Sequence, residues 1–118
     1  MTRSTSSGPD RGEVWYAPLD PVVGHEQGGN RPCLVISDNR FNHSRGDLVV
    51  VVPITRTDRG LASHVRIDPP EGGLKDISFV QCEGVRAISK QRLQTRWGKV
   101  SAKSLVAVED RVRLLLGL

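Results

Sequence analysis

The run Leu48-Val49-Val50-Val51-Val52-Pro53-Ile54-Thr55 constrains the fold more than any other stretch of the chain. A continuous β-branched run reads as a central strand covered on both sides. Pro53 has no N–H to give to a ladder, so the pairing is expected to be interrupted there, by a bulge or an edge. Other strands group around this one. Glu13-Val14-Trp15-Tyr16-Ala17 alternates and carries two aromatics, which predicts a first strand. Cys33 to Ser37 predicts a second, and His64 to Ile67 a short one. Ser78 to Cys82 and Val85 to Ile88 read as one strand kinked at Gly84 or as two short ones, and Trp97 to Val100 as the last. Asp38 is placed to cap one helical turn through Asn42. Ser101 is placed to cap a longer helix with Leu105, Val108, Val112 and Leu115 on its apolar face, Glu109 paired with Arg113 on the wet face, and Gly117 at its end. The pattern predicts a mainly β fold: a small barrel or strongly bent sheet with a C-terminal helix.

A chain of 118 residues is one domain, here residues 11–118. Residues 1–10 are rich in Ser, Thr and Gly, have almost nothing to bury, and are expected to form a disordered tail. Cys33 and Cys82 lie in apolar surroundings, which predicts two buried thiols in a reducing compartment; they make no metal-site pattern, and no cofactor is expected. No apolar run is long enough to cross a bilayer, and the N-terminus lacks the core of a signal peptide, so a cytoplasmic location away from membranes is expected. The net charge of +4 suits an acidic partner, with nucleic acid the first candidate.

The polar loop Gly24-His25-Glu26-Gln27-Gly28-Gly29-Asn30-Arg31-Pro32 runs straight into the apolar segment Cys33-Leu34-Val35-Ile36. Its glycines let a ligand approach the backbone. Arg31 stands where the loop meets a fixed framework, and Pro32 restricts it to an extended backbone, so the guanidinium can be aimed. The same composition also describes an ordinary solvated loop with a structural arginine.

This loop, followed by an apolar strand, resembles the signature loop of the MazF/PemK/Kid toxins, the ribosome-independent mRNA endoribonucleases of toxin–antitoxin pairs. The resemblance extends to Arg11-Gly12-Glu13-Val14-Trp15, to Val51-Val52-Pro53-Ile54-Thr55, to Gln81-Cys82-Glu83-Gly84-Val85-Arg86-Ala87-Ile88, and through Gly98-Lys99-Val100-Ser101 to the terminal helix. It implies a small SH3-like barrel of the CcdB/Kid/MazF type, a homodimer, a single-stranded RNA substrate and a cognate MazE/PemI-like antitoxin. Arg31 and Thr55 fall on the family's principal catalytic arginine and threonine. His25 matches the histidine of the PemK/Kid branch, and Glu83 falls on that branch's catalytic aspartate. Gln81 departs from the pattern, standing where the branch has a catalytic arginine. Gly84 departs too, so the cut sequence does not carry over.

RNA is cut without a metal when its 2′-hydroxyl attacks the neighbouring phosphorus and expels the 5′-oxygen. A catalyst must remove the 2′ proton, stabilise charge on phosphorus and protonate the leaving oxygen. Arg31 suits the phosphate, being planar, bidentate and permanently charged, and Thr55 can add a hydrogen bond. His25 and Glu83 compete as the base. His25 is preferred, because an ordinary imidazole titrates near ~6.5 and an ordinary Glu near ~4.3. Glu83 is then expected to orient His25 or hold the 2′-hydroxyl. Glu26, Gln27, Asn39, Arg56, Gln81 and Arg86 are candidates to contact RNA. His43 and His64 are expected to be surface or strand residues. The competing classes are a CcdB-like gyrase poison, which has no need of Arg31 and Thr55, and a plain RNA-binding barrel, which five aromatics equip poorly.

Overall fold

The computed structural model describes residues 8–118. Its strands are β1 (Glu13–Pro18), β2 (Asn30–Val35), β3 (Leu48–Thr55), β4 (His64–Ile67), β5 (Ser78–Gln81), β6 (Arg86–Ser89) and β7 (Thr95–Lys99). Two helices join them, α1 (Asn39–Asn42) and α2 (Ala102–Leu116). The strands run across one antiparallel sheet in the order β4-β5-β3-β2-β1-β7, with β6 paired to β3 off that path. The fold is therefore a mainly β, half-barrel sheet with a C-terminal helix, as the sequence pattern predicts.

β3 is the hub. One edge pairs with β2, Val35 opposite Val51 and Cys33 opposite Pro53. The other edge is shared: β6 takes Leu48 to Val51, and β5 takes Ile54 and Thr55. The interruption expected at Pro53 is this change of partner, and the single 3-10 turn Cys82–Gly84 fills the gap between the two neighbours. Successive β3 side chains point to opposite faces. Val52 and Ile54 join the core with Val14, Leu34, Val65, Val80, Val108 and Val112. Val49 and Val51 join a second core with Ala17, Leu19, Cys33, Val35 and Ile88. Both faces are covered, which is why the run is apolar without alternation. Each such side chain gains ~1.5–3 kcal/mol from complete burial.

The ends of the helices follow the sequence signals. Asp38 accepts the Arg40 N–H and Ser101 accepts the Ser104 N–H, while Gly117 closes α2 at φ 73°. Three details differ. Leu115 is 48% exposed, so the apolar face of α2 rests on Val108 and Val112. Glu109 pairs with Arg11 of the segment before β1, and Arg113 pairs with Asp110, so the expected Glu109–Arg113 pair does not form. β2 begins at Asn30, which places Arg31 inside the strand. Of the tail expected at residues 1–10, residues 1–7 lie outside those described; Pro9 is buried and the Asp10 N–H donates to Glu13 Oε1 at 2.8 Å. Cys33 and Cys82 are free, buried thiols, pushed up by burial to about 12 and about 11. No helix among the described residues is long and apolar enough to cross a membrane.

Gly84 crosses Pro53 so closely that a Cβ there would lie 2.7 Å from Pro53 Cγ and 3.0 Å from Cδ. The pyrrolidine ring cannot swing aside, so any side chain must push the turn away from β3. Gly84→Ala is expected to lower stability by ~1–3 kcal/mol, the usual cost of overpacking. Urea denaturation followed by tryptophan fluorescence measures it, and an unchanged midpoint would mean the turn tolerates displacement.

Candidate active site

The register of β2 and β3 builds the first part of the site. The ladder between them runs from Val35–Val51 to Cys33–Pro53, and past its end Arg31 and Thr55 come to one cleft. Arg31 is half-buried; its Nε donates to the Gly28 carbonyl at 2.8 Å and Nη1 lies 3.5 Å from the Ile54 carbonyl. The first bond ties the loop back on the strand and leaves the other guanidinium nitrogen to a ligand. Burial lowers the Arg31 pKa, opposed by the Asp20 carboxylate, and a guanidinium remains charged throughout. Thr55 is only 8% exposed. Its Oγ1 accepts the Thr57 N–H at 3.2 Å, so its own hydrogen is free to be given. Both residues line a cleft of about 780 Å³ together with Asn30, Arg56, Lys75, Asp76 and Trp97. Arg56 is exposed and stands 3.5 Å from Asp76. Trp97 lies parallel to Tyr16, with ring centroids 5.3 Å apart.

A second cleft, about 340 Å³, opens beside Pro53 and holds His25, Glu26, Gln27, Gln81, Glu83 and Arg86. The four residues expected at the catalytic centre thus divide between two clefts along one strand end, Arg31 and Thr55 in the first, His25 and Glu83 in the second. His25 is exposed on the loop. Glu26 folds back to accept the Val23 N–H. Arg86 Nη1 donates to the Leu19 carbonyl at 2.9 Å, which fixes the cleft wall.

Glu83 does not orient His25. Its Oε1 accepts from Ser63 Oγ and its Oε2 meets His64 Nε2, both at 2.7 Å. Burial works against the charged form of Glu83, but the hydrogen bonds from His64 and Ser63 outweigh it and hold the carboxyl below the usual range. His64 is buried at 8% exposed, a role that its place in a short strand did not announce. Asn39 is not brought to either cleft: its side-chain carbonyl accepts the Arg11 N–H at 2.6 Å and serves the fold. Lys75, Asp76 and Trp97 border the first cleft without having carried a sequence signal. Among the described residues no group of three His, Cys, Asp or Glu could hold a metal ion.

The fold is a bent antiparallel sheet with one cleft that holds Arg31, Arg56 and Lys75 and a second that holds Glu83. The chain belongs to the family of PemK-like, MazF-like toxins of type II toxin–antitoxin systems, whose pattern matches residues 10–116. It is 35% identical over 111 residues to endoribonuclease EndoA of Bacillus subtilis, covering 92% of this chain and 94% of that one. It is 33% identical over 113 residues to endoribonuclease MazF9 of Mycobacterium tuberculosis, covering 92% and 96%. Its fold superposes on MazF from Deinococcus radiodurans with a TM-score of 0.84 at 28% identity, covering 94% of this chain and 98% of that one.

The sign of the Glu83 shift fixes its effect on stability. A depressed carboxyl adds stability that is fully present above the unfolded value of ~4.3 and is lost as pH falls through the folded value. Glu83→Gln is therefore expected to flatten the stability profile below about pH 4 and to leave its shape unchanged above about pH 6. Urea midpoints measured across both limits, from the acid limb to neutral pH, test this, and an unaltered acid limb would show that Glu83 gains nothing from Ser63 and His64.

Proposed function

We propose that the chain is an endoribonuclease toxin that cuts single-stranded RNA sequence-specifically, independently of the ribosome, and so arrests translation and growth until a cognate antitoxin covers it. The observation that carries this reading is the meeting of Arg31 and Thr55 in one cleft beyond the end of the β2–β3 ladder, each with a donor to spare. A gyrase trap or a plain RNA-binding barrel has no use for that arrangement. The relatives named endoribonuclease support it.

The scissile phosphate sits at Arg31 and Thr55. The guanidinium neutralises the charge that builds on the non-bridging oxygens, and the Thr55 hydroxyl donates one more bond. The second cleft takes the ribose on the 5′ side. There His25 removes the 2′ proton, the 2′-oxygen forms its bond to phosphorus, and the bond from phosphorus to the 5′-oxygen breaks. The leaving oxygen takes a proton from water, giving a 2′,3′-cyclic phosphate and a 5′-hydroxyl. Glu83, clamped and ionised, is a poor base and a good acceptor for the 2′-hydroxyl, which supports His25 as the base. Gln81, Arg86, Glu26 and Gln27 line the same cleft and contact the nucleotide there, while Arg56 and Lys75 draw the strand along the first.

The basic balance suits an acidic antitoxin segment that folds onto both clefts. One solved mycobacterial endoribonuclease, 25% identical with a TM-score of 0.76 and covering 94% of this chain and 97% of that one, is in complex with its cognate antitoxin. Exposed Leu114, Leu115 and Leu116 at the end of α2 support assembly as a homodimer. The place of action is the cytoplasm, where mRNA is.

Purified protein incubated with a long RNA in EDTA is expected to give discrete fragments with 5′-hydroxyl ends; intact RNA would refute the reading. Arg31→Ala is expected to slow cleavage ~10²–10³-fold, and Arg31→Lys, which keeps the charge but loses the fork, by less. A histidine base puts a bend in the plot of log rate against pH. His25→Ala is expected to remove that bend, and its survival would move the base elsewhere.

A further inference from the structure

His64 opens β4 and is buried, on the face that strand alternation gives to Arg66 and not on the face of the core residues Val65 and Ile67. A histidine there is costly. Its Nε2 meets Glu83 Oε2 at 2.7 Å, and because an ionised carboxylate can only accept, Nε2 carries the hydrogen. The buried Nδ1 has no hydrogen-bond partner. Gln81 stands directly opposite His64 across β4 and β5, and its buried Oε1 has none either. Buried polar atoms without partners cost stability. Packing alone would favour an apolar residue at so buried a position. What His64 does achieve is a bond to a carboxylate that is 40% exposed, at the wall of the second cleft.

We propose that His64 is the positioning residue of the second cleft, which with Ser63 fixes the Glu83 carboxylate in one orientation toward the ribose of bound RNA. This rests on the reading of that cleft as the seat of the 2′-hydroxyl. Each Glu83 oxygen has one anchor, Oε1 on Ser63 and Oε2 on His64, so the carboxylate cannot rotate and its remaining lone pairs face the cleft. Both anchors come from the start of β4, and α2 holds that segment in place: Arg111 Nε donates to the Ala62 carbonyl at 2.9 Å. The other charged and titratable groups around this corner are engaged elsewhere or lie across the cleft. Arg111 of α2 holds Ala62, Arg86 of β6 holds Leu19, the Cys82 thiol is buried beneath the turn, and His25 and Glu26 stand on the loop that forms the opposite wall.

The test has one arm without RNA and one with it. In the first, the Glu83 side-chain carboxyl is titrated by carbon-13 NMR in the wild type, His64→Phe, His64→Gln and Ser63→Ala. The phenyl ring keeps the bulk and removes the donor; glutamine can place an N–H close to where Nε2 stood. The midpoint is expected to rise in His64→Phe, less in Ser63→Ala, and to return most of the way in His64→Gln. A midpoint that does not move in His64→Phe overturns the clamp. Should His64→Phe fail to fold, as circular dichroism would reveal, Ser63→Ala and His64→Gln carry the same comparison, and unchanged midpoints in both overturn it. In the second arm, His64→Phe is expected to lower kcat by ~10²-fold, the order of loss that a 1 Å misplacement brings, with KM far less affected. Added to Glu83→Gln it is expected to cost nothing further. A multiplied loss in the double variant overturns action through Glu83. If Glu83→Gln alone leaves cleavage unchanged, the catalytic reading of the cleft falls, while the titration still decides the clamp.

Discussion

β3 changes partner at Pro53, and the rest of the molecule depends on that change. A strand that kept one neighbour along its whole edge would leave no room for the Cys82–Gly84 turn. Here β6 leaves after Val51, β5 arrives at Ile54, and the turn crosses between them with Gly84 against the proline ring. The turn carries Glu83 to one side of β3. On the strand's other edge β2 brings Arg31 to the cleft that Thr55 lines. One strand end therefore presents a guanidinium and a hydroxyl in one cleft and a fixed carboxylate in the next. Two cores on opposite faces of β3 pack this frame, and rigid elements hold side chains more precisely than loops do.

The division between the clefts is also a division of electrostatic work. Arg31 is partly desolvated, which strengthens its pull on a phosphate, and it remains a cation with Asp20 nearby. Glu83 is kept ionised by two hydrogen bonds although burial opposes its charge. Were both groups in one cleft they would neutralise each other as an ion pair. In separate clefts each stays available to a different part of a nucleotide in the mechanism proposed above. There His25, exposed on the loop and lining the second cleft with Glu83, is given the base role.

Much of this was legible in the sequence because it is local. The β-branched run marks β3, the proline marks its interruption, and Asp38, Ser101 and Gly117 cap helices by rules that act within a few residues. The motifs around Arg31 and Thr55 point to two residues that line one cleft. What the sequence concealed depends on register and side-chain reach. His64 and Glu83 are nineteen residues apart and meet only because β4 pairs β5 with His64 opposite Gln81. Nothing in a four-residue strand separates a buried histidine from an exposed one. The resemblance implied an arginine where Gln81 stands; the hydrogen bond to Glu83 comes instead from the histidine across the ladder. Glu109 has the spacing to pair with Arg113, yet the chain before β1 lies nearer and Arg11 takes it. Asn39 was a plausible RNA contact by type, and its amide is spent on the backbone of Arg11.

The most direct measurement is cleavage of an RNA of known cut site that carries a single 2′-deoxy nucleotide immediately 5′ of the scissile phosphate. The phosphate, the bases and every contact to Arg31 and Thr55 are kept, and only the attacking oxygen is gone. Cleavage at that site is expected to stop while the all-ribose control is cut, and binding of the two RNAs is expected to remain comparable. Cleavage that continues past the deoxy position would contradict attack by the 2′-hydroxyl and the roles given to His25 and Glu83 with it.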